Sequence, residues 1–169
     1  MPSSIELRKA GYAEMVYVAR NMRPLDRREL YAFDHSENPE NLARELSRFD
    51  RFHWVACIGW RPVTIVSAIE RSPTLWHVGM YSTPDWPKVA LNCTLFFRHV
   101  IYPTLEKLGC NRAECRSYIG HEEAHRWLAL LGAERECVMH DIGYKRDSYV
   151  QFSWTRSALE RKKKLTKRL

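Results

Sequence analysis

Residues 120–133 hold the segment that most narrows what this chain can fold into. Ala124, Trp127, Leu128 and Leu131 recur at i, i+3, i+4 and i+7, a single apolar stripe on a helix, and Gly132 supplies the left-handed stop. Strand-like stretches lie on either side: Arg112–Tyr118 before it, then residues 135–140 and 148–154 after it, joined by the turn-rich residues 141–147. A helix with one apolar stripe must bury it, and the nearest surface is the sheet those strands would form. The local unit is therefore strand, helix, strand, strand.

The same segment contains His121-Glu122-Glu123-Ala124-His125, a match to the HExxH pattern in which two histidines one turn apart share a zinc ion. A catalytic zinc site needs a third protein ligand and an open position. Glu134, Glu136, Asp147 and Glu160 would each have to return from beyond the helix to supply one. The expected reading is a helix start with acids near its positive end, and no metal site.

Upstream, residues 5–9 predict a first strand and a helix from Tyr12 with Met15, Ala19 and Met22 on one face, ended by Pro24. Asp26, three residues before Glu29, gives a cap-like start to a second helical piece reaching Phe33. Asn38-Pro39 opens a third helix with Leu42, Leu46 and Phe49 as its buried stripe. From Phe52 the period changes to two. Residues 52–58, 63–70 and 74–81 predict a three-stranded antiparallel meander, followed by a long helix to Leu108 that is bent at Pro103 and stopped by Gly109.

With 169 residues, 45% of them hydrophobic, the chain is expected to form one core. No apolar run approaches the roughly 20 residues of a membrane span, and no secretory apolar stretch opens the sequence. Its five cysteines show no CxxC spacing and read as reduced core thiols. Charge is concentrated at one end: residues 155–169 carry seven basic residues against one acid, in a chain whose net charge is +7. The expected organisation is a domain over residues 1–154 and a basic arm over 155–169. Arg161, Lys162, Lys163, Lys164, Lys167 and Arg168 are the candidate contacts to nucleic acid or to an acidic protein surface.

The order strand, helices, three antiparallel strands, long helix, strand, helix, strand, strand resembles the GNAT acyltransferase superfamily over residues 5–154, most sharply at the helix ending Leu131-Gly132. The resemblance implies an α/β (α+β) fold, a central and mostly antiparallel sheet with flanking helices. It also implies a glycine-lined loop after the third meander strand, whose main-chain N–H groups would cradle the pyrophosphate of coenzyme A. Here that stretch is Tyr81-Ser-Thr-Pro-Asp-Trp-Pro-Lys88, without glycine and with two prolines that delete donors. Tyr81, Ser82, Trp86 and Lys88 are the candidate cofactor contacts. The family's usual acid, a Tyr four residues before the helix-ending Gly, is Leu128, and the Asn often found at the start of that helix is His121. Substitute candidates are His77 as base and Tyr81 or Tyr118 as acid.

Residues 123–153 are also similar to a group of internal virion proteins of short-tailed bacteriophages, through the helix ending Leu-Gly-Ala and the later Arg146-Asp-Ser-Tyr-Val-Gln-Phe152. That likeness implies a virion-associated or assembly protein, located in the virion or host cytoplasm, without efficient acyltransferase activity and with no cofactor. Its partners would be other virion proteins or further copies of itself. The alternative is an acetyl-CoA-dependent N-acetyltransferase acting on an amine of a small molecule or protein. A third is a nucleic-acid accessory protein that uses the arm alone.

Overall fold

The structure, a computed structural model, describes residues 4–49 and 52–166, with side chains followed through Arg161. Seven strands form one sheet: β1 (Ile5–Lys9), β2 (His53–Ile58), β3 (Arg61–Ser72), β4 (Leu75–Ser82), β5 (Arg112–Tyr118), β6 (Glu134–Ile142) and β7 (Asp147–Thr155). Their order is β1-β2-β3-β4-β5-β7-β6, and every neighbouring pair is antiparallel except β4 with β5. This is the mixed α/β, mostly antiparallel architecture expected from the element order.

One face of the sheet carries α1 (Tyr12–Arg20), α2 (Pro24–Tyr31) and α3 (Pro39–Ser47), with Met15, Val18, Ala19, Ala43, Val55, Ile65 and Tyr81 forming a buried cluster. The other carries α4 (Trp86–Phe96), a π turn (Phe97–Ile101), α5 (Tyr102–Lys107) and α6 (Glu122–Leu130). There Phe97, Ile101, Leu105, Leu128, Leu131, Phe152 and Trp154 make the larger core. Truncating one of these large side chains to Ala costs about 2–5 kcal/mol, because close-packed neighbours collapse only partly into the space. Trp154 Nε1–H donates to the Leu131 carbonyl at 3.1 Å, tying the end of α6 to β7.

Several expectations are corrected in detail. Pro24 does not end α1, which stops at Arg20; it occupies the first turn of α2, where a missing N–H costs nothing. Asp26 is a buried residue of that turn rather than its cap. Phe49 is 42% exposed, and Ala43 takes the buried place on α3. Thr74 has φ of 73° and belongs to the turn, so β4 starts at Leu75. The long helix is interrupted by the π turn rather than by a simple bend, one register slip that accommodates the donor missing at Pro103. Gly109 and Gly132 do stop their helices, with φ of 81° and 88°.

After β7 the chain turns directly into α7 (Arg156–Thr166), whose Ala158 is buried. Arg161 lies 3.8 Å from Glu134. The Lys162, Lys163 and Lys164 side chains, and all of Lys167 and Arg168, lie outside the described residues. No helix among the described residues is long and apolar enough to cross a membrane.

Candidate functional site

β4 and β5 pair only where they begin, at Leu75–His77 against Arg112–Glu114. Beyond that point they diverge, so residues 78–82 keep β3 on one side and have no strand on the other. Gly79 sits exposed on this open edge, and a Cβ built there meets nothing within 4 Å. The gap opens a cavity of about 340 Å³, walled mainly by apolar side chains such as Met80, Phe97, Trp127 and Leu128.

Helix α2 spans the divergence. Asp26 and Glu29 are one turn apart, hence on the same helix face. Asp26 Oδ2 accepts the Ser82 main-chain N–H at 2.7 Å, at the end of β4. Glu29 Oε2 accepts the Tyr118 main-chain N–H at 2.7 Å, at the end of β5, and the Ser117 hydroxyl at 2.9 Å. Arg23 clamps Asp26 through Nη2 at 2.8 Å and reaches Glu123 of α6 at 3.0 Å. Even so, burial holds the Asp26 carboxyl above its ordinary range, outweighing the Arg23 attraction. His121, at the cap position of α6 and only 3% exposed, completes the cluster. Its Nε2 is 3.6 Å from Asp26 Oδ1 and its Nδ1 is 3.4 Å from Glu29 Oε2. Arg23, Asp26, Glu29 and His121 all line the cavity, with Arg116 exposed on β5.

His121 and His125 therefore do not face a common point: His125 is engaged by the Tyr118 carbonyl, 3.0 Å from its Nε2. No group of three or more His, Cys, Asp or Glu side chains suited to a metal ion occurs among the described residues.

Of the candidate catalytic residues, the structure brings His77 to the cavity wall. Burial lowers its pKa below the ordinary imidazole value, so it is neutral near pH 7 and able to accept a proton. Tyr81 lies in the core under α1. Its hydroxyl donates to the Met15 carbonyl at 3.2 Å, and burial pushes its pKa far up, which makes it a structural residue. Tyr118 lies at the end of β5 with the Arg28 guanidinium 4.4 Å from its ring centre, outside the residues that wall the cavity.

The candidate cofactor contacts are equally committed. Ser82 is fully buried, its hydroxyl bonded to Thr64. Trp86 is buried edge-on to Trp127, 5.1 Å between ring centres, with the Arg23 guanidinium over its face at 5.7 Å. Lys88 Nζ is 2.7 Å from Asp85 Oδ1, and Arg61 holds the other oxygen at 2.6 Å.

The residues around the start of α4 do not fit the pyrophosphate of coenzyme A. Thr83 N–H donates to the Val63 carbonyl, Trp86 N–H to the Thr83 carbonyl and Lys88 N–H to the Asp85 carbonyl. Asp85 N–H is 3.4 Å from the Thr83 hydroxyl, and Pro84 and Pro87 have no N–H. Every donor an anion would use is absent or already bonded, and the cap residue is itself a carboxylate. The open edge of β4 beside the cavity does fit an extended amide-bearing arm, which bonds to an unpaired strand as another strand would.

Solved structures share this fold. Ard1 from Thermoplasma volcanium superposes with a TM-score of 0.71 at 10% identity, over 89% of this chain and 97% of that one. The ribosomal-protein-S18-alanine N-acetyltransferase of Escherichia coli gives 0.65 at 9%, over 90% and 94%. The Salmonella typhimurium yncA structure, solved with its cofactor acetyl-CoA, gives 0.68 at 12%, over 90% and 94%. The chain has the GNAT fold. No family model and no curated protein matches it in sequence.

Within the GNAT fold, His77, the loop after β4 and His121 at the α6 start, each singled out in the sequence, lie on or beside the cavity, with no role shown for them. Sequence reading missed Asp26 and Glu29 as a pair. Their i, i+3 spacing was visible, yet it was read as a capping pattern, because nothing in the local sequence shows that two strand ends lie opposite that face.

Proposed function

We propose that this domain is an N-acyltransferase whose acceptor, a primary amine, binds in the cavity between β4 and β5. The observation that carries the reading is Glu29. Its Oε2 accepts from Ser117 and Tyr118 and lies 3.4 Å from His121 Nδ1, while its Oε1 has no hydrogen-bond donor among the described residues and the side chain lines the cavity beside Asp26 and a largely apolar wall. A carboxylate oxygen in such a setting favours a cationic guest, since a charge taken out of water needs a partner of opposite sign. Glu29 holds the ammonium group, and the nitrogen attacks as the free amine once its proton has passed to solvent. His77 lies opposite Glu114, four residues back along β5 from the Tyr118 N–H that Glu29 binds, and serves as a neutral wall residue. The apolar wall keeps water from competing. An acyl thioester supplies the acyl group, and the GNAT fold with the open β4 edge supports that class of donor.

The test is thiol release from acetyl-CoA with a panel of primary amines, for the intact protein and Glu29→Gln. Amine-dependent release that falls in the variant supports the reading, and no release with any amine contradicts it.

One observation favours a second reading, a GNAT-fold virion-associated or assembly domain without turnover: the closed start of α4, which offers coenzyme A no anion site. On that reading the basic arm meets nucleic acid, another virion protein or a second copy of the chain. The protein would then release no thiol but be retained, at low salt, on a DNA column or on purified virion components.

A further inference from the structure

The closed start of α4 has a consequence for the donor itself. Resting on the acyltransferase reading above, we infer that this domain recognises its acyl donor by the thioester and amide arm alone, so that nucleotide-free acyl-pantetheine thioesters serve as well as acyl-coenzyme A.

Three independent features remove the nucleotide's attachment. The first is the main chain: between Thr83 and Lys88 each N–H is either bonded inside the protein or deleted by Pro84 or Pro87. Next is the sign of the charge at the helix start. Asp85 occupies the cap position, so an incoming diphosphate would meet a like charge at the helix start. The third is the fate of the nearby cations. Arg61 and Lys88 are both held by Asp85, at 2.6 and 2.7 Å, and Arg23, over the ring of Trp86, is held by Asp26 and Glu123. Pairing with Lys88 and Arg61 depresses the Asp85 pKa, which keeps the carboxylate charged across the physiological range.

None of these features touches the part of the site where an amide arm would lie. Residues 78–82 of β4 have no strand partner on the cavity side, Gly79 leaves open space there, and the cavity runs along that edge. The bond changes do not involve the nucleotide either. The amine nitrogen bonds the acyl carbon, the carbon–sulfur bond breaks, and the proton lost by the amine is matched by one taken up by the departing sulfur from solvent. A donor with no nucleotide carries every atom the exchange needs.

Calorimetry with the full chain, titrating acetyl-CoA and acetyl-pantetheine separately, reads the inference without relying on turnover. The expected result is dissociation constants within roughly threefold of each other, less than the factor of ten that one net charge-assisted contact would give. Asp85→Ala is expected to tighten acetyl-CoA about tenfold, by releasing Arg61 and Lys88 to meet phosphate, and to leave acetyl-pantetheine unchanged. Acetyl-CoA binding more than about tenfold tighter than acetyl-pantetheine to the unaltered protein would overturn the inference while leaving the acyltransferase reading standing. Failure of both donors to bind would overturn both. An Asp85→Ala protein with unchanged affinity for acetyl-CoA would contradict the role given to the carboxylate. Asp85 makes no side-chain cap bond and is paired only at the surface, so that variant should fold normally.

Discussion

Asp26 and Glu29, one turn apart on α2, each accept the main-chain N–H at the end of a different strand, Ser82 of β4 and Tyr118 of β5. The two strands part after three paired residues, so the short helix with its two carboxylates is what fixes the width of the opening. Fold and site are joined at this point. The groups that satisfy the diverging backbone also give the cavity its charged wall.

Asp26→Ala should therefore be costly. It leaves the Ser82 N–H without its acceptor and strips Arg23 of its buried partner, a loss of about 3–5 kcal/mol. Asn at the same position keeps an acceptor for Ser82 and should cost less than Ala. Urea denaturation midpoints of the two variants check the order, and an Ala variant within about 1 kcal/mol of the unaltered protein would contradict it.

Stability should fall on mild acidification. Burial holds the pKa values of His77 and His125 below the ordinary value of about 6.5. With falling pH the unfolded chain binds protons at these sites first. The stability they contribute is complete above about 6.5 and is lost as the pH drops toward their folded-state values. Denaturation midpoints at pH 7.5 and 5.5 should differ, and His77→Gln should narrow the difference.

Gly143 should not accept a side chain. Its φ is 69°, and a Cβ there would lie 2.4 Å from the Ala32 carbonyl oxygen, the atom that accepts the Tyr144 N–H at 3.0 Å. Gly143→Ala must open this contact between the β6–β7 turn and the end of α2, at a cost above the roughly 1 kcal/mol of a left-handed alanine alone. Thermal melting reads the loss.

Why the chain revealed its architecture more readily than its site follows from the range of the forces involved. The Leu128 and Leu131 stripe, the Gly132 stop and the alternation through residues 52–58 are local, and each lies on an element the structure contains. Even the missing glycine after β4 could be read directly. The roles of Tyr81 and Tyr118 could not, because the side a strand residue faces depends on which helix covers that side. Tyr81 was a candidate acid in the sequence and is core in the fold, through one hydrogen bond to Met15, a residue 66 positions away. Asp26 and Glu29 show the converse, ordinary in sequence and central once two distant strands end beside them.

The basic arm should act apart from the fold. Ala158 is buried on α7, but Arg161 is exposed and lies 3.8 Å from Glu134. Removing residues 161–169 should leave the melting temperature close to unchanged. It should abolish any retention on DNA or acidic protein, which in the full chain would weaken steeply with salt through counterion release. Equal retention of both forms would show that the arm is not an interaction device.

The most direct test of the account is amide formation from a radiolabelled acetyl thioester, with acetyl-CoA and acetyl-pantetheine offered in parallel to a panel of primary amines. The account predicts labelled amide with both donors and a fall of about tenfold or more in kcat/KM for Glu29→Gln, the loss of one charge-assisted contact to the acceptor. Absence of labelled amide with either donor and every amine, or an unchanged Glu29→Gln protein, would contradict it.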